Sequence, residues 1–206
     1  MINVLTPLCE LALKYGTDKG GWHTIAGDTC HNYTPTYHML LGPYREQVKA
    51  VLEIGVNYGP SLRMWRDYFP NARIIGLDSN AACLFNEERI DCFPADQNNA
   101  ESLDGALTIA GISKYDLIVD DGSHEENHQV FSANVLSRYL APNGIYVIED
   151  ITLDCEPWHY LRQIHGYEAY AAYNTGVGIG KAKCGCGCGT GENLLVLAHT
   201  PDRIFP

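Results

Sequence analysis

The chain has no apolar run of the roughly 18 residues that a membrane-spanning helix requires, so its sequence offers no transmembrane helix. Cations are also scarce: 14 Lys and Arg stand against 25 Asp and Glu, for a formal net charge of −11. That balance repels phosphate backbones and anionic lipids, so neither nucleic acid nor a membrane surface is an expected partner. No CxxC pair occurs among the cysteines; Cys9, Cys30, Cys83, Cys92 and Cys155 are scattered, as buried or free thiols of a reducing compartment would be. Met1 to Lys19 lacks a basic start, an apolar core and a small-residue cleavage site. It reads as mature protein, with the cytoplasm as the default location.

What is present begins at residue 51, where short β-type runs alternate with amphipathic stretches, the pattern of a parallel sheet covered by helices. Strands are expected at 51–55, 73–78, 90–95, 115–120 and 144–149, with a further one from Glu192 to His199. Helices are expected at 60–68, 80–87, 99–111 and 125–140, and the Pro142-Asn143-Gly144 turn should separate the last of these from the fifth strand. Residues 1–50, with helices at 5–15 and 34–47, are expected to cover the cleft of a core formed by 51–206. Residues 151–191 read as irregular, and the stretch near 176–191 is rich in Cys and Gly. There, alternating glycines would bring Cys184, Cys186 and Cys188 within reach of one soft metal. Structural zinc needs a fourth ligand and wider spacing, which favours a glycine-rich loop.

After the first strand comes Glu53-Ile54-Gly55-Val56-Asn57-Tyr58-Gly59. Gly55 permits a tight turn, Gly59 lets backbone approach a ligand, and Glu53 supplies an acceptor. A dinucleotide turn would carry GxGxxG to place helix amides on a pyrophosphate; here Asn57 breaks that match. The turn suits a donor without phosphates, such as S-adenosylmethionine. Asp78, about 20 residues further on, falls where a ribose diol would lie, and Asp96-Gln97 ends the third strand near an adenine position.

Two acid clusters follow apolar runs: Asp120-Asp121-Gly122-Ser123-His124 and Glu149-Asp150. In neighbouring strands their C-terminal ends place Asp121, Glu149 and Asp150 at one edge, a hard-oxygen set suited to Mg²⁺ or a similar ion. Ser123 and Glu126 form an S-x-x-E capping box, which puts His124 in a first helical turn. There the helix dipole favours the neutral imidazole that a base requires. A histidine of pKa about 6.5 is a poor match for an alkyl alcohol alone, and a metal closes that gap. Asp120 is assigned to the strand-end turn beside the donor. His128 suits packing or support, and His31 and His38 read as ordinary polar positions.

The motifs Lys14-Tyr15-Gly16-Thr17-Asp18-Lys19, His31-Asn32-Tyr33 with Tyr37, LEIGVNYGPSLRMW, YFPNARIIGLD, DDGSH and GIYVIED occur in this order. Over roughly residues 11–151 they resemble the metal-dependent sugar O-methyltransferases of macrolide antibiotic biosynthesis, the mycinamicin and demethylmacrocin type. The resemblance implies a class I methyltransferase fold: α/β and Rossmann-like, with a mostly parallel seven-stranded sheet between helices. It also implies S-adenosylmethionine as donor, Mg²⁺ held by Asp121, Glu149 and Asp150, and His124 as base. The loop of Tyr15, Thr17 and Lys19 would close over the donor, joining Glu53, Gly55, Gly59, Asp78, Asp96, Gln97 and Asp120.

The expected reaction is methylation of a sugar hydroxyl on a small-molecule acceptor, with Trp22, Tyr33, Tyr37 and Trp158 as candidate stacking faces. A homo-oligomer is compatible with the sequence. Three other readings stay open at this level: a catechol-type methyltransferase, an NAD-dependent oxidoreductase, and a catalytically silent sugar- or metal-binding module.

Overall fold

The computed structural model describes residues 5–20, 31–151, 162–174 and 193–203. Trp22, Trp158 and the cysteines at 30, 155, 184, 186 and 188 lie outside these residues. The described strands are β1 (Ala50–Ile54), β2 (Arg73–Asp78), β3 (Asn86–Glu87), β4 (Ile90–Pro94), β5 (Tyr115–Asp120), β6 (Leu140–Ile148), β7 (Ala169–Asn174) and β8 (Asn193–Ala198). They form one sheet in the order β3-β4-β2-β1-β5-β6-β8-β7. Pairing of β4, β2, β1, β5 and β6 is parallel, whereas β8 runs antiparallel to both β6 and β7. Helices α1 (Pro7–Tyr15), α2 (Thr34–Leu41), α3 (Pro60–Tyr68), α4 (Ala100–Ala110) and α5 (Glu126–Leu136) complete the chain. None of the described helices is long and apolar enough to cross a membrane.

Both faces of the sheet are covered, so the central strands carry near-continuous apolar runs, as parallel strands do; every residue of β1 is buried. The pleat divides them by parity, because successive side chains point to opposite faces. Val51, Leu117, Val119, Ile145 and Val147 join Leu8, Tyr37, Leu62 and Trp65 in the core beneath α1, α2 and α3. Leu52, Ile54, Ile118, Tyr146 and Ile148 join Leu103, Leu107, Ala133 and Leu136 beneath α4 and α5. Burying each large apolar side chain contributes about 1.5–3 kcal/mol, and the core extends along both sides of the sheet.

Several expectations need correction. Residues 80–87 form no helix: a single 3-10 turn covers Ala81–Cys83 and is followed by β3. The Asn80 side chain accepts from the Ala82 amide at 3.1 Å, a local bond that competes with helix, and the Asn86 side chain accepts from the Cys92 amide of β4 at 3.1 Å, which ties this segment to the sheet edge. That short strand brings the sheet to eight strands rather than seven. Within the stretch expected to be irregular, β7 pairs along its full length with β8. Pro142-Asn143-Gly144 lies inside β6, in the register break between the Tyr115 and Leu117 pairings. The helices expected at 34–47 and 125–140 finish as α-helix at Leu41 and Leu136, each followed by a 3-10 turn.

Candidate active site at the sheet edge

Chain order reverses between β1 and β5: β2 follows β1 on one side, and β5 lies on the other. The carboxyl ends of strands at such a switch point form the crevice where open α/β sheets bind ligands. Gly55 stands there with φ 95°, and a Cβ at this position would overlap the Asp121 carbonyl. Only glycine permits that approach of the two loops. Asn57 (φ 39°), Tyr58 (φ 62°) and Gly59 (φ 84°) continue the left-handed turn into α3. Asp78 at the end of β2 steadies it, its Oδ2 accepting from the Val56 amide at 2.9 Å and the Asn57 amide at 3.4 Å.

Parity also sorts the acids. Glu53, Asp121 and Glu149 share the phase of Val51, Val119 and Val147 and meet one ammonium, that of Lys19. Lys19 Nζ bonds Asp121 Oδ2, lies 2.6 Å from Glu149 Oε2 and 3.5 Å from Glu53 Oε1. Its side chain is 1% exposed. Burial opposes the Lys19 charge, but the Asp121, Glu149 and Glu53 carboxylates outweigh it and hold the pKa well above the ordinary lysine value. Burial pushes the Glu53 carboxyl up to about 7, with Lys19 pulling the other way. Burial likewise holds Glu149 well above the carboxylate range, against the pull of Lys19. Glu53 is further occupied by the Ser61 hydroxyl at 2.6 Å and by the Trp65 indole N–H.

Asp120 has the opposite phase and lies beneath α5, where it is fully buried. Its carboxylate accepts from Gln97 Nε2 at 2.6 Å, the Ser132 hydroxyl and the Tyr146 hydroxyl at 3.1 Å. Burial raises its pKa to about 6 against those donors. Gln97 Oε1 accepts from the Ser123 amide at 3.0 Å, so this network supports the Asp121–His124 loop from below.

Asp121, His124 and Asp150 each offer a ligand atom within 4.8 Å of the others. Two carboxylates and an imidazole at that spacing fit a divalent cation. His124 (φ 59°) and Asp150 (φ 55°) are both left-handed, and strained backbone of this kind concentrates at functional sites. His124 Nδ1 lies 3.6 Å from Asp150 Oδ2. The expected capping box is absent: α5 starts at Glu126 with Glu125 at the N-cap and no side-chain cap. Ser123 Oγ instead accepts from the Glu125 amide at 3.3 Å and pairs with His128 Nδ1 at 2.9 Å. His124 therefore precedes the helix rather than sitting in its first turn, which removes the helix-dipole argument for its protonation state.

The N-terminal segment supplies partners that sequence reasoning assigned elsewhere. Tyr33 and Tyr37 are fully buried and so present no stacking face to a sugar. Tyr33 donates its hydroxyl to Asp150 Oδ1, and Tyr37 donates to Glu149 Oε1 at 2.6 Å. Burial and these acids keep both phenols protonated. His31, read as an ordinary polar residue, brings Nδ1 to 3.4 Å from Asp150 Oδ1 and stacks on Tyr33. Their spacing with tyrosine and histidine in HNYTPTYH carried the available signal.

Of the residues expected around the donor, Gly55, Gly59 and Asp78 form the turn, and Asp96 is exposed after β4, its Oδ1 accepting from the Asn98 amide at 2.9 Å. Tyr15 bonds Asp67 and Arg66 of α3. Thr17 is buried and accepts from the Lys19 amide at 3.4 Å. Lys19, Glu53, Gln97 and Asp120 are enclosed by the protein contacts given above.

No family model matches the chain. Over 151 residues it is 39% identical to mycinamicin VI 2''-O-methyltransferase of Micromonospora griseorubida, covering 70% of this chain and 36% of the relative. It is 36% identical over 151 residues to an 8-demethyl-8-alpha-L-rhamnosyl tetracenomycin-C 2'-O-methyltransferase of Streptomyces olivaceus, covering 70% of this chain and 37% of the relative. The chain thus spans little more than a third of the curated relatives it matches. A solved MycE methyltransferase, in complex with Mg, SAH and mycinamycin VI, superposes with a TM-score of 0.70 at 29% identity, covering 94% of this chain and 54% of that one. Human methyltransferase-like protein 13, at 15% identity and a TM-score of 0.56 over 84% of this chain and 82% of that one, shares the fold alone.

Strand order, the antiparallel β8 and the glycine turn at the switch point define a class I methyltransferase fold. Within that class, 151–153 residues of the chain are similar to curated O-methyltransferases, among them mycinamicin VI 2''-O-methyltransferase and demethylmacrocin O-methyltransferase.

Proposed function

We propose that the protein transfers a methyl group from S-adenosylmethionine to a hydroxyl of a sugar or glycosylated small molecule, with a divalent cation such as Mg²⁺ at the sheet edge. The observation that carries this reading is the convergence of Asp121, His124 and Asp150 beside the Gly55 turn. The Mg, SAH and mycinamycin VI in the solved relative support it. S-adenosylmethionine supplies an electrophilic methyl group, and a divalent cation lowers the pKa of an acceptor hydroxyl.

The chain's own residues have distinct parts. The turn from Gly55 to Gly59, packed on the Asp121 carbonyl and the Phe85 ring, would border the donor, and Asp78 beside it would accept from the ribose hydroxyls. Asp121 and Asp150 would hold the cation, joined by Glu149 once its contacts to Lys19 and Tyr37 give way. Asp150 orients His124 through Nδ1, and His124 takes the acceptor proton at Nε2. Holding donor and acceptor in line supplies much of the acceleration. Asp120 and Gln97 keep the loop under His124 fixed, and the N-terminal segment, through Lys19, Tyr33 and Tyr37, covers the acids from the α1/α2 side.

The test is transfer of labelled methyl to glycosylated acceptors, with and without a chelator. Asp121→Ala and His124→Ala should each lower turnover by about 10²–10⁴-fold, and a chelator should stop it. Full transfer by both variants would overturn the mechanism, and activity on catechols but no sugar would reassign the acceptor. Because His124 lies within the ligand grouping, a second role as a metal ligand is favoured by that geometry. His124→Ala protein that loses Mn²⁺ binding is missing a ligand; one that keeps Mn²⁺ and loses turnover is missing a base.

A further inference from the structure

We propose that Lys19 competes with the divalent cation, as a built-in positive charge that must release Asp121 and Glu149 before the ion can take them. This inference rests on the metal-dependent reading above. Two of the three carboxylates assigned to the ion are the ammonium's own partners: it bonds Asp121 Oδ2 and stands 2.6 Å from Glu149 Oε2. Glu53, with no part in the metal set, holds a third side at 3.5 Å. The side chain starts from a fixed point, since the Lys19 carbonyl accepts from the Tyr33 amide at 2.9 Å and the Thr34 amide at 3.1 Å, at the start of α2.

An ion drawing on the same oxygens would stand a few ångströms from a buried ammonium. Like charges at that separation repel strongly where water does not screen them. Binding of the ion and retention of the lysine contacts are therefore opposed, and the affinity measured for the wild type is the ion's gain less the loss of those contacts. Asp150 is outside the ammonium's reach, held by Tyr33 and beside His31 and His124. It gives the ion an initial ligand that needs no displacement.

A neutral side chain at position 19 then has two effects of opposite sign. It leaves Glu53 and Glu149 buried without a counter-charge, which destabilises the metal-free protein, and it removes the competitor, which tightens metal binding. A lysine that merely packed the core would give the first without the second.

The experiment titrates Mn²⁺ alone into wild type, Lys19→Met and Lys19→Gln near neutral pH, by calorimetry and by thermal unfolding. The expected result is Mn²⁺ binding at least about tenfold tighter in both variants. Their metal-free unfolding temperatures should be lower, with the gap to wild type closing as Mn²⁺ is added. Unchanged or weaker Mn²⁺ binding in the variants overturns the proposal. A variant that folds only with Mn²⁺ present supports it, and failure of both to fold at any Mn²⁺ concentration overturns it, because the ion would then not replace the ammonium. Absence of Mn²⁺ binding in wild type and variants alike would instead sink the metal-dependent reading, whereas equal binding in all three sinks only the competition.

Discussion

Gly55 and Tyr37 fix two different acids of the cluster, Asp121 and Glu149. At Gly55 the backbone needs φ 95°, and a methyl group would strike the Asp121 carbonyl. Gly55→Ala should therefore cost about 1–3 kcal/mol in urea unfolding and displace the Asp121 loop. Tyr37→Phe removes the only hydroxyl donated to Glu149 Oε1 among the described residues. Leaving that buried acceptor without a donor should cost about 1–3 kcal/mol, read by the same unfolding measurement. Adjacent acids with unlike fates could have been separated in advance: strand parity sends Asp120 under α5 and Asp121 toward Lys19. Lys19 was legible as a loop residue but its contact with the acids was not, because Asp121 and Glu149 lie 102 and 130 positions away and no local pattern encodes such a meeting.

At the level of elements, α1 is fastened to α3 by a surface cluster. Asp67 accepts from Lys14 at 2.8 Å, from the Tyr15 hydroxyl and from Arg66 Nε at 3.0 Å. Partial burial alone would raise the Asp67 carboxyl, but the three donors outweigh it and hold the pKa well below the carboxylate range. An acid depressed on folding stabilises the fold above its unfolded pKa of about 3.9 and loses that contribution as pH falls toward the folded value. Asp67→Asn should cost about 0.5–1 kcal/mol near neutral pH, in keeping with an ion-pair cluster near the surface that water partly screens. That cost should shrink steadily below about pH 4, as urea midpoints across pH would show. Elements with a strong period, β1, α3, β2 and β5, were legible almost to the residue. Those decided by pairing were not: Ala169–Asn174, Ala-Tyr-Ala-Ala-Tyr-Asn, has no clean two-residue alternation and becomes a strand beside β8. Nor was the break before α5, where Ser123 turns to His128 rather than capping the helix.

For the whole molecule, the Gly55 turn and the acids share one crevice, so ligand linkage tests the donor proposed there. S-adenosylhomocysteine at about a hundredfold its Kd should raise stability by about 2.7 kcal/mol, while NAD at the same concentration should leave the unfolding temperature unchanged. A shift from NAD with none from S-adenosylhomocysteine would favour the oxidoreductase reading.

The contact between Lys19 and Glu149 also sets an order of events during synthesis. The lysine leaves the ribosome 130 residues before its acid, an interval of about 7–26 s at ordinary elongation rates. Glu53 and Asp121 emerge in that interval. The loop after α1 cannot complete its contacts until β6 has paired with β5, so the crevice should close late, with β7 and β8 still to be added to the sheet.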